Sequence, residues 1–137
     1  MSPTPFVILH LGAALSAVLI GPFALWTRLG RIVRPRWHRA LGYAWITCMC
    51  ITMLSALFIR SHDLPNIAGY TPLHLLVPMS GLLLYRALAA VRRGDVVRHR
   101  RTMQRLYLGA CVVAGAFTLL PSRYLGQLVW AAWLGWL

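Results

Sequence analysis

The chain has 137 residues, of which 59% are hydrophobic, and its only acids are Asp63 and Asp95. Fourteen arginines and no lysine bring the formal net charge to +12. That composition excludes a soluble globular domain. The arginines lie between long apolar segments rather than on a water-exposed face, so a lipid bilayer, and no nucleic acid, is the implied partner.

Four apolar segments are predicted to cross the bilayer within a single domain, 1–137, at about 5–27, 39–59, 72–91 and 103–120. Each is near the ~20 residues a membrane helix needs, and each must be helical to satisfy its own backbone. The first lacks a basic leading flank and is too long for a cleaved signal, so it reads as a retained span. Gly21-Pro22 predicts a bend near its far end, and Pro78 a kink within the third span. Pro72 suits a first helical turn. Cys48, Cys50 and Cys111 all fall inside apolar segments and read as small packing residues.

The loop before the second span carries Arg28, Arg31, Arg34, Arg36 and Arg39, and the loop before the fourth carries Arg92, Arg93, Arg98, Arg100, Arg101 and Arg105. The loop between the second and third spans, 60–71, holds one arginine and Asp63. Both basic loops are therefore expected in the cytoplasm, with the N-terminus outside. The segment 124–137 is too short to span; Trp130, Trp133 and Trp136 suit an interfacial, docking or partner-contacting apolar helix.

Histidines occupy matching places in the two halves. His10 and His74 lie near the outer ends of the first and third spans, and His38 and His99 lie at the cytoplasmic entries of the second and fourth. Ionisable residues in membrane segments point to function. One helical face reads His10, Ala13, Ala14, Ala17, Gly21, and another reads His74, Val77, Pro78, Gly81, Tyr85. Small residues there allow either close helix packing or room for a flat cofactor.

Three readings stand open for the outer pair. His10 and His74 are axial ligands of one haem b iron, or partners of a quinone head group, or hydrogen-bonded links between helices. For the inner pair, His38 and His99 either contact lipid phosphate or hold a second haem, with Arg39 and Arg100 on its propionates. The two layers would lie about 25 Å apart by helix rise. Arg60 and Arg123, at outer helix ends, either snorkel or anchor an acidic cofactor edge, and Arg86 snorkels. His62 with Asp63 supplies too few ligands for a specific metal site. The sequence holds no nucleophile triad, phosphate loop, zinc motif or paired carboxylates.

Several stretches together resemble a bacterial membrane family, domain of unknown function 2306. They are His10 with Gly21-Pro22; His38-Arg39-Ala40-Leu41-Gly42-Tyr43; Arg93-Gly94-Asp95 followed by His99-Arg100 and Met103; Thr71-Pro72-Leu73-His74-Leu75-Leu76; and Gly115 to Pro121 followed by Arg123. Ser122 departs from the pattern, which has glycine there. The resemblance implies a small helical protein of the bacterial inner membrane and no established activity.

The expectation is an all-α integral membrane protein: an antiparallel four-helix transmembrane bundle built from two similar helical hairpins, plus a short C-terminal apolar helix. The expected function is redox: haem b held by the histidines, with electrons exchanged with quinone or a partner subunit. The alternative is a non-catalytic accessory or assembly subunit of a larger respiratory or photosynthetic membrane complex, or a homo-oligomer. A transporter ranks below both, because four spans leave little room for a pathway.

Overall fold

The computed structural model describes residues 4–28, 34–60, 67–121, 123–133 and 135. Within them the chain is helical, with no strand beyond one isolated bridge between Ile67 and Tyr70. Helix α1 is Pro5–Trp26 and α2 is Pro35–Ala56. A 3₁₀ turn, Pro72–Leu75, leads into α3, Leu76–Arg92. Helix α4, Val96–Leu106, continues through a π-helical segment, Tyr107–Val113, into α5, Ala114–Thr118. The chain then turns into a short α6, Tyr124–Gln127, with a second π-helical segment, Leu128–Trp133. Arg31, His62, Asp63, Ser122 and Trp136 lie outside the described residues.

Two of the expected boundaries move, and both movements have local causes. Helix α2 starts one turn before residue 39, because Pro35 fits the first helical turn, where no N–H is needed. Helix α4 starts at Val96, so much of what polarity marks as a basic loop is helix. The Asp95 carboxylate accepts from Arg98 N–H at 2.9 Å and caps it. Gly94, at φ 80°, makes the preceding turn. Pro78 does not interrupt α3. It sits in that helix's first turn, and the residue four before it, His74, already belongs to the 3₁₀ turn.

The helices pack as two sequential pairs, α1 on α2 and α3 on α4. The pairs meet where α1 touches the Tyr107–Val113 segment and where α2 touches α3. Helix α1 buries Ala13, Ala17, Gly21 and Ala24, one stripe at spacings of four and three residues. The small face below His10 is thus filled by close packing. In α3 the buried stripe is Ser80, Leu84, Ala87 and Ala90, a different face from the one that carries His74, Gly81 and the exposed Tyr85. Trp45, Met49, Leu84, Leu106 and Cys111 complete the core with Ala17.

Pro5–Trp26 and Pro72–Arg92 are long and apolar enough to cross a membrane, with mean hydropathies of 2.1 and 1.5. Only 11% and 22% of those apolar stretches are buried. A core helix of a soluble domain would be mostly buried; here Leu19, Phe23, Leu82 and Tyr85 point outward. Such outward apolar faces suit hydrocarbon.

Tyr107 makes one of the contacts between the two pairs. Pro22 has no N–H, so the carbonyl four residues earlier, Val18, loses its helical donor. The Tyr107 hydroxyl donates to that carbonyl at 2.9 Å. The ring reaches it by lying on Gly21, where an added Cβ would collide with the Tyr107 ring and come within 3.3 Å of Trp45 Nε1. Tyr107→Phe is therefore expected to destabilise the fold by about 1 kcal/mol. Gly21→Leu should cost more, because it drives the pairs apart. Denaturation of the detergent-solubilised protein with a charged detergent, followed by circular dichroism, measures both. Wild-type stability of Gly21→Leu would rule this contact out as the joint.

Candidate functional site

Each of the four predicted histidines reaches across to a carbonyl on a neighbouring element. His10, on α1, bonds through Nδ1 to the Thr52 carbonyl of α2 at 3.0 Å, with Ser55 Oγ at 3.2 Å. His38, on α2, bonds through Nδ1 to the Ala24 carbonyl of α1 at 2.9 Å. These two links close the first pair at both ends and require its helices to run antiparallel. His99, on α4, repeats the inner link on the second pair, from Nδ1 to the Ala87 carbonyl of α3 at 2.9 Å. His74 ties the second pair to the first: its Nε2 donates to the Ile59 carbonyl, just beyond α2, at 2.9 Å.

Two of the four acceptors are carbonyls at a helix end. The last carbonyls of a helix have no intrahelical donor. Ala24 lies in the last turn of α1 and accepts both His38 and the Thr27 hydroxyl, the latter at 2.7 Å. Ile59 lies past the end of α2 and receives His74.

The hydrogen bonds also assign the ring protons. A carbonyl partner makes Nδ1 the donor in His10, His38 and His99, so Nε2 keeps its lone pair and makes no hydrogen bond among the described residues. That is the usual arrangement of an iron- or zinc-binding histidine, whose second nitrogen is fixed by a carbonyl. His74 is the reverse. Its Nδ1 accepts from Thr71 N–H at 3.1 Å, as in a capping box, and its Nε2 is the donor. Three of the four histidines therefore fit haem ligation as they stand. His74 fits only if Nε2 leaves Ile59 and loses its proton to the other nitrogen.

The structure brings His10 and His74 to the same end of α2, since Thr52, Ser55 and Ile59 lie there. Phe6 and Phe58 stack at that end at 4.9 Å, and Tyr70 meets the His74 ring edge-on at 5.0 Å. Arg60 lies 5.4 Å from the Tyr70 ring, a local partner for a residue otherwise read as an anchor. Arg39, Arg86 and Arg100 are exposed, and Arg123 is half-buried in the turn before α6. No group of three histidine, cysteine or acidic side chains is assembled for a metal ion among the described residues. Cys111 is buried with its thiol 3.8 Å from Met49 Sδ, consistent with a packing role.

Sequence reasoning missed Tyr107 and Trp45. Tyr107 had a signal: a proline inside an apolar helix implies a carbonyl that needs an outside donor. Trp45 had none. It is 3% exposed, and its indole N–H lacks an acceptor among the described residues. A groove of about 300 Å³, lined by Phe23, Trp26, Thr27, Arg34, Trp37 and Leu41, opens at the basic end of the first pair.

The predicted membrane protein family designated DUF2306 matches residues 7–137. No curated protein and no solved structure matches the chain.

Asparagine places an N–H near the position of imidazole Nδ1 but offers nothing at Nε2. His38→Asn is therefore expected to keep wild-type stability, whereas His38→Ala should lose about 0.6–2 kcal/mol. Detergent-denaturation midpoints decide it; equal losses in both variants would mean that the Ala24 bond does not hold the helices.

Proposed function

The chain belongs to the membrane protein family of domain of unknown function 2306, and we propose that it is a small redox protein that holds haem b through these histidines. The observation that carries the reading is the shared state of His10, His38 and His99: Nδ1 fixed on a backbone carbonyl, Nε2 open. What supports the reading is that the open nitrogen is the same one, Nε2, in all three.

In this reading the inner pair, His38 and His99, faces one group, with Arg39 and Arg100 available to its acidic edge. The outer pair, His10 and His74, faces another, with Arg123 near that end and a change of partner at His74. The cofactor would supply one-electron chemistry. The chain's own part is to fix ring orientation through the Thr52, Ala24 and Ala87 carbonyls and to keep the sites dry. Electrons would pass to a quinone or to a partner subunit of a respiratory or photosynthetic complex.

The same proposal places four spans across the bacterial inner membrane, with the N-terminus outside and the Arg-rich ends cytoplasmic. Helix α2 and the α4–α5 run supply the two further spans. The α2 helix has 22 residues, about 33 Å of rise.

A second reading rests on a different observation. All four rings already hold carbonyls between helices, and large apolar side chains cover the outside. An accessory or assembly subunit, or a homo-oligomer, needs only that. Visible absorption of the purified protein separates the two. We expect a sharp α-band on dithionite reduction that His38→Asn and His99→Asn each diminish, by removing the inner group, although both stay folded. A protein that is colourless after growth with haem precursor would overturn the redox reading and leave the accessory one.

A further inference from the structure

We infer that the groove at the basic end of the first helix pair is a binding site for one anionic phospholipid, with its phosphate at Arg34 and an acyl chain along the aromatic wall. The groove has about 300 Å³ of space between the end of α1 and the start of α2. Its wall is apolar and aromatic: Phe23 and Trp26 from α1, Trp37 and Leu41 from α2. Its rim is cationic. The Arg34 guanidinium stands 5.6 Å from the centre of the Trp26 ring, and Arg34 N–H closes the turn by donating to the Thr27 carbonyl at 3.1 Å. The backbone bond fixes where the side chain starts, and the guanidinium rests beside Trp26 at the rim of the groove.

Charge complementarity selects the occupant. The chain has two acids: Asp63, in the sequence between α2 and α3, and Asp95, which caps α4 by accepting from Arg98 N–H. Arg28, Arg36 and Arg39 lie close to Arg34 in sequence and add to the same field. An apolar wall below a fixed guanidinium matches an acyl chain below a phosphate. Trp26 and Trp37 are 59% and 62% exposed, as expected of tryptophans at the level of lipid headgroups. Anionic lipid is attracted to such a basic edge. A soluble anion would use the arginine but leave the aromatic wall empty.

The test uses the full chain in mild non-ionic detergent, titrated with brominated phosphatidylglycerol or brominated phosphatidylcholine while tryptophan fluorescence is recorded. Quenching by phosphatidylglycerol is expected at the lower lipid fraction. Arg34→Gln, an exposed change that leaves helicity intact by circular dichroism, should reduce that preference about five-fold. Trp26→Phe combined with Trp37→Phe should remove the preferentially quenched component. Equal quenching by the two lipids, or a preference unchanged in Arg34→Gln, overturns the inference. Displacement of the brominated lipid by inorganic phosphate alone would also overturn it, in favour of a soluble-anion site.

Discussion

A backbone carbonyl in hydrocarbon has no water to turn to, so each one that a helix leaves without a donor must be met by the protein itself. The arrangement of this chain follows from where such carbonyls arise. Pro22 frees Val18 O, the end of α1 frees Ala24 O, and the end of α2 leaves Ile59 O. Tyr107 meets the first, His38 and Thr27 the second, and His74 the third. Apart from Thr27, which caps its own helix, each donor comes from another part of the chain, so satisfying the backbone also fixes which helices touch. Small residues along α1 make this possible by letting the partners approach. Gly21 is the sharpest case, since Tyr107 occupies the space a side chain would take.

The two nitrogens of imidazole let one residue serve structure and chemistry at once. In His10, His38 and His99 the nitrogen nearer the backbone does the structural work, and the farther one stays open. His74 spends both nitrogens on Thr71 and Ile59. The two ends of the helix pairs are therefore chemically unequal. His38 and His99, at one end, both leave Nε2 without a hydrogen bond among the described residues, whereas at the other end only His10 does. A group entering the outer end would have to outcompete the link between the two helix pairs.

Much of this was legible in the sequence. Helix class and the two apolar helices with membrane length follow from long apolar runs separated by arginines, and the family from the motifs around the histidines. The four histidines stand out because membrane segments rarely carry them. The start of α4 was obscured, because arginines mark polarity and not helix ends, and the Asp95 cap outweighs them. Which face of α3 would be buried was not legible: a 3₁₀ turn sets His74 out of register with the buried Ser80–Leu84–Ala87 stripe. Which carbonyl each ring would meet depends on how the pairs dock, and no local pattern encodes that.

The account turns on the assignment of ring protons, and nitrogen NMR of the chain labelled with ¹⁵N-histidine reads it directly. With signals assigned by single substitutions, His10, His38 and His99 should each carry the proton on Nδ1, and His74 should carry it on Nε2. Nε2-protonated His10, His38 and His99 would contradict the account, since their carbonyl bonds could not form and their open nitrogens would not exist.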